Sequence, residues 1–276
     1  MAVTAVRAET TALGAAKARR TRREGLPRWA VYVLRLAVVV VLVGLWQIAA
    51  SRHWFDPTTF GKPSGIWSAI IHYLPSSHAR GSLKATAEAV FWTFVIGSVA
   101  GTLFGLILGL TKSLDDVLGP FLAPINSIPR IALAPLFIAW FGLTISAKIV
   151  LGVSIVFFIL AENARSSVRS VDPDLMTMAR VVGLKKAALL WKVVLPSAVP
   201  TIFAGLRLTF TYSLLGVIAS EMIAAASGIG QDIVLYSSSY QIDTVFAILF
   251  ELMVIAVVVN WLFAIAERRL LVWQRT

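Results

Sequence analysis

Long apolar runs alternate with short polar ones along this chain, and six of the runs approach the length of a bilayer crossing. Bilayer hydrocarbon is about 30 Å thick, so a spanning helix needs roughly 20 mostly apolar residues. The candidate spans run from about Val31 to Ala50, Ala87 to Leu110, Leu118 to Gly142, Ser146 to Ala161, Thr201 to Ser220 and Thr244 to Ala266. The pattern predicts an all-α integral membrane protein of about six transmembrane helices. Residues 1–28 are polar and basic and are expected to form a disordered tail. Residues 29–86 hold the first span and an amphipathic outer segment, 87–268 the membrane core, and 269–276 a short C-terminal tail. Within the outer segment, Ile66, Trp67, Ile70, Ile71 and Leu74 recur at helical spacing, which predicts a short helix lying on the surface.

Two of the runs depart from a plain apolar helix. The second carries Gly97, Gly101, Gly105 and Gly109 at a spacing of four, a stripe on one face. Such a stripe lets another helix backbone come close, for static packing or for sliding during transport. The third is interrupted by Pro120, Pro124, Pro129 and Pro135, with Arg130 near its middle. Each proline removes a backbone hydrogen bond that lipid cannot replace, so this run belongs among its neighbours or beside a cavity. A charge at that depth is costly; Arg130 either pairs with a buried acid such as Glu251 or lines a solute path. Pro129, Arg130, Pro135, Arg207, Glu221 and Glu251 are the candidate path residues.

Composition supports the membrane reading: 58% of residues are hydrophobic and only 14% charged, against roughly 25% charged in a soluble domain. The net charge of +11 does not point to nucleic acid, because the basic residues cluster between the apolar runs. Lys and Arg favour cytoplasmic loops. Arg165, Arg169, Arg180, Lys185, Lys186 and Lys192 fill the connection 162–200, whereas 221–243 has neither Lys nor Arg. The outer segment 51–86 carries four (Arg52, Lys62, Arg80 and Lys84), a weaker agreement, and the bias as a whole predicts both termini in the cytoplasm. No cysteine is present. His53, His72 and His78 sit in one polar stretch without metal-ligand spacing and are expected to be solvated loop residues.

The connection 162–200 is the most informative segment. Asp172 can cap a helix that begins at Pro173, a position where proline loses no useful bond. Gly183 ends or bends that helix, and a second is expected from Lys185 to Val194, followed by Pro196. Leu175, Met178, Ala179 and Val182 share one face of the first helix. An apolar face on a short helix in water requires a groove on a partner.

Ala179, Gly183 and Val193-Val194-Leu195-Pro196 resemble the "EAA" signature of binding-protein-dependent ABC importer permeases, in which glycine is followed ten residues on by an aliphatic residue and Leu-Pro. Thr177 stands where that signature has glutamate, and Met178 where it has its first alanine. Ile128-Pro129-Arg130-Ile131-Ala132-Leu133-Ala134-Pro135-Leu136, Trp140-Phe141-Gly142, Val171-Asp172-Pro173 and Ser227-Gly228-Ile229-Gly230 resemble the nitrate, sulfonate and taurine group of these permeases. The resemblance implies a type I importer fold in a bacterial inner membrane, with a coupling helix within 172–195. It implies a second permease copy as homodimer partner, two cytoplasmic ATPase subunits and an external solute-binding protein. ATPase docking would fall to Asp174, Leu175, Met178, Ala179, Arg180, Val182, Gly183, Leu184 and Lys185. The solute would be a small anion, or alternatively an aromatic acid or vitamin precursor.

The chain lacks a G-x-x-x-x-G-K-[ST] phosphate loop, so Mg-ATP would bind a partner chain, and this chain is expected to bind no cofactor and to catalyse nothing. An ion-coupled carrier is the competing reading, resting on Glu251 within the sixth run; no internal repeat accompanies it. No His cluster or Ser/His/Asp set suited to an intramembrane enzyme appears in the spans.

Overall fold

The computed structural model describes residues 27–270, and all the regular structure among them is helical. Most of the basic tail expected at 1–28, and residues 271–276, lie outside the described residues. In chain order the helices are α1 (Arg28–Ser51), α2 (Pro57–Phe60), α3 (Pro63–Tyr73), α4 (Ser77–Leu110), α5 (Lys112–Asn126), a 3-10 turn (Arg130–Leu133), α6 (Ala134–Phe141) and α7 (Ile145–Arg169). They continue as α8 (Pro173–Val181), α9 (Lys186–Leu189), a π-helical turn (Leu190–Val194), α10 (Leu195–Ile223), α11 (Ile229–Ser238) and α12 (Ile242–Leu270). Among the described residues, five helices are long and apolar enough to cross a membrane: α1, α4, α7, α10 with its preceding turn, and α12. The sixth crossing is the pair α5 and α6, bent by 82° at its break.

The centre of the bundle is α4 against α7, with α10 laid across both. The glycine stripe makes this possible. A Cβ at Gly97 would come 2.4 Å from the Val156 side chain, at Gly101 2.4 Å from the Phe157 carbonyl, and at Gly105 2.2 Å from the Ala161 carbonyl. At Gly109 it would stand 2.7 Å from Val168 Cβ. All four glycines therefore bring α4 onto the α7 backbone, too close for any side chain. Leu108 of α4, Val156 and Leu160 of α7, and Val217 of α10 are fully buried. By contrast α1 stands apart and joins the bundle near its second end. There Trp46 meets Phe246 edge-on, and Gln47 accepts from the Ser64 N–H at 3.0 Å.

Several boundaries differ from the hydrophobic pattern for one reason: hydropathy marks the part of a helix that meets lipid, not the whole helix. The fourth run was expected to end near Ala161, yet α7 continues to Arg169 through a charged last turn. The fifth was expected from Thr201, yet α10 begins at Leu195 and passes through Pro200. Pro196 does not end the preceding helix. It occupies the first turn of α10, where its missing N–H costs nothing, so the polar connection feeds directly into the span.

Candidate docking helix and solute cleft

At the end of the bundle where α7 stops, α8 is built by local rules. The Asp172 carboxylate accepts from the Asp174 N–H at 2.8 Å, and its carbonyl accepts from the Met176 N–H at 3.2 Å. Gly183 ends the helix with φ +80°, and the Leu184 N–H closes back onto the Ala179 carbonyl at 3.0 Å. No atom lies within 4 Å of where a Gly183 Cβ would stand, so backbone conformation, not crowding, favours glycine here.

The predicted apolar face divides in two. Ala179 turns inward and is buried, whereas Leu175, Met178 and Val182 are 49%, 65% and 79% exposed. Val181 and Trp191 extend this apolar surface. Asp174, Gly183 and Lys185 are exposed around it and Leu184 is half-buried; the Arg180 side chain is outside the described residues.

The bend between α5 and α6 forms the second site. Pro129 has no N–H, so the Ile125 carbonyl lacks its usual helical donor four residues on. Ile128 N–H reaches it only at 3.4 Å. Arg130 supplies the better-placed charge: one guanidinium nitrogen donates to the Ile125 carbonyl at 3.2 Å and another to the Ser154 carbonyl on α7. The guanidinium also lies over the Phe158 ring, 4.1 Å from its centre. Arg130 thus caps the broken helix and pins it to α7. Pro135 sits in the first turn of α6, where proline is tolerated. Between the bend, α7 and α10 lies a cleft of about 360 Å³, walled by Ile128, Ile131, Ile155 and Ile159, with Arg130, Asn126 and Tyr212 as polar groups.

The other candidate path residues are not gathered there. Arg207 faces α12, donating to Asn260 at 3.1 Å. Glu251 is not the partner of Arg130; it lies on α12 within electrostatic reach of Asp232 and Tyr73. Glu221 is buried at the far end of α10, 3.0 Å from Lys148 of α7. It also accepts from Thr86 and from the Gly230 N–H at 2.9 Å, while Lys148 donates to the Ser227 carbonyl at 2.5 Å.

Sequence reasoning passed over three charged residues that the fold brings to prominence: Lys148, Asp115 and Asp232. Lys148 had a signal, a lone cation near the start of the fourth apolar run. Asp115, on α5, takes two arginines of α7, Arg165 and Arg169. Asp232 is buried on α11, accepting from the Tyr73 hydroxyl at 2.7 Å and meeting His78 Nε2 at 3.0 Å. His78 is therefore not simply a solvated loop residue. Burial, then the bond to Asp232, raises the Tyr73 phenol above its ordinary range. Among the described residues no group of three metal-ligating side chains forms a candidate metal site.

Among the described residues, five apolar helices of spanning length, a sixth broken at a cation-capped bend, and an amphipathic helix displayed at one end fit a multi-pass membrane protein. The comparisons give the family: residues 97–272 match the family described as "Binding-protein-dependent transport system inner membrane component", and the chain belongs to it. It is an ABC transporter permease. It is 29% identical over 241 residues to the putative aliphatic sulfonates transport permease protein SsuC of Bacillus subtilis (strain 168), covering 87% of each chain. The taurine transport system permease protein TauC of Escherichia coli (strain K12) is 26% identical, over 87% of this chain and 90% of its own. Among solved structures, a bacterial ABC transporter involved in the import of the acidic polysaccharide alginate aligns over 87% of this chain and 96% of its own, with TM-score 0.63 at 16% identity. The MetNI methionine ABC transporter, in an inward-facing form, aligns over 69% of this chain and 93% of its own, with TM-score 0.58 at 21% identity. The fold is that of the type I importer permeases.

Proposed function

We propose that this chain is the solute-conducting subunit of an ATP-driven importer for small organic anions of the sulfonate type, working as a homodimer. The single observation that carries the solute class is the cleft at the bend, where isoleucines and the neutral polar groups Asn126 and Tyr212 surround one fixed guanidinium. Apolar walls suit an aliphatic chain, and a cation held in place by carbonyls suits the anionic head that sulfonates carry. The sulfonate and taurine transport names of the relatives support the same class. Two ATPase subunits, which bind Mg-ATP, dock from the cytoplasm on α8 through Leu175, Met178 and Val182. An external solute-binding protein delivers the anion at the opposite end, beside α3 and α11. Both termini are cytoplasmic, and the membrane is the bacterial inner one.

The test is uptake of radiolabelled ethanesulfonate and taurine by cells or vesicles holding the permease with its ATPase and binding protein. Import should require ATP and persist with a protonophore present. Import that collapses with the proton gradient while ATP is kept constant points instead to an ion-coupled carrier, and indifference to both anions removes the sulfonate class.

A further inference from the structure

Asp115 is a buried carboxylate, 6% exposed, in the first turn of α5. The helix dipole favours an acid there, but the dipole leaves both oxygens needing donors. Both come from the last turns of α7. Oδ1 accepts from Arg165 Nε and Oδ2 from Arg169. Arg165 is itself held by Glu162 at 3.1 Å. One turn along α5, a Cβ at Gly119 would come 2.5 Å from an Arg165 nitrogen, so glycine leaves room for the guanidinium.

The residues just beyond Arg169 tie the triad to the docking helix. Ser170 is still hydrogen-bonded to α7 through the Ser166 carbonyl at 2.9 Å, Val171 is buried, and Asp172 already caps α8. Only Ser170 and Val171 separate Arg169 from the residue that caps the docking helix. In the other direction α5 runs to the bend, where Arg130 again ties the chain to α7 at Ser154 and Phe158. Between these two ties α5 touches α7 sparingly and turns Val117, Leu118 and Phe121 outward.

We propose that Asp115 is a positioning residue that joins α5 to the stem of the docking helix, so that motion of α8 is delivered to the Arg130 cleft as motion of one body. This rests on the importer reading and adds the route by which ATPase and solute path communicate. A charge triad suits that task because it is directional and fails when one partner is neutralised.

The experiment uses the whole complex, with ATPase and binding protein, in proteoliposomes, with ethanesulfonate as probe. Asp115→Asn should keep ATPase co-purification and hydrolysis near wild type while lowering uptake per ATP by about tenfold, within the usual range of coupling between sites. Asp115→Glu should restore most of it, which a simple loss of stability would not predict. Arg169→Gln removes one tie at a side chain that is 53% exposed, and should lower uptake per ATP less, at normal abundance. Unchanged coupling in either variant overturns the proposal. So does loss of assembly in Asp115→Asn with normal coupling in Arg169→Gln, because the triad would then only hold the fold together. A wild-type complex whose hydrolysis is not linked to uptake removes the importer reading and this inference with it. A wild type that couples, alongside variants that couple equally well, removes the inference alone.

Discussion

Lys148 on α7 and Glu221 on α10 form a fully buried ion pair, 3.0 Å apart, that also clamps the turn leading into α11. Glu221 accepts from Thr86, which in turn accepts from the Ile229 N–H at 2.8 Å, so three long helices and the start of α11 meet at one carboxylate. Gly228 fits only because it has no side chain: its φ is +124°, and a Cβ would stand 2.1 Å from Glu221 Oε1. Removing one partner of a buried pair leaves an uncompensated charge, at a cost of about 3–5 kcal/mol. Glu221→Gln should therefore reduce membrane abundance and thermal stability in detergent, and Lys148→Met should recover much of the loss. A Glu221→Gln protein that melts with wild type would show that the pair contributes nothing.

For Arg130 the expected signature is in transport. Arg130→Gln should lower ethanesulfonate uptake by about tenfold, roughly one lost ionic contact, with abundance maintained. Arg130→Lys keeps the charge but not the planar fork that reaches both Ile125 and Ser154, so its uptake should be intermediate. Collapse of abundance with normal uptake per surviving molecule would assign Arg130 to helix capping alone.

Gly183 separates docking from folding. Its φ of +80° is strained for leucine by about 1–3 kcal/mol. The surroundings are empty, so the strain stays at the end of α8. Gly183→Leu should insert normally but retain less ATPase on co-purification, whereas Gly183→Asn, which tolerates the left-handed region, should behave close to wild type. Equal retention by the leucine variant counts against docking through this helix end.

Orientation can be read by labelling, since the sequence contains no cysteine. Cysteine at Ser238, exposed on α11, should react with an impermeant maleimide in whole cells, and cysteine at Ser166, exposed near the end of α7, only after permeabilisation. The neighbouring Ser167 looks equivalent in sequence but is 2% exposed, so it would report burial and not topology. The reverse labelling pattern would invert the bundle.

What the sequence determined by itself was whatever depends on spacing along one helix. Runs of apolar residues marked the crossings, four prolines marked the third run as irregular without saying which of them would break it, Asp172 and Gly183 marked the limits of α8, and the glycine stripe marked a face of close approach. These signals are local because hydrogen bonds four residues apart, caps and helix faces are set within a few turns. Helix ends were less legible, since α7 and α10 continue in polar company that hydropathy does not count as span. Tertiary structure alone decided which charges meet. Along the chain, pairing of Arg130 with Glu251 was one of two open readings, yet the folded bundle pairs Lys148 with Glu221, 73 residues apart, and Arg165 with Asp115, 50 residues apart, and leaves Arg130 to backbone carbonyls. The same holds for Ala179, which shares a predicted face with Leu175 and Met178 but turns inward when α8 settles. Charge pairing depends on the rotation and crossing of whole helices, and those follow from how side chains interlock across the bundle, which spacing within one helix does not specify.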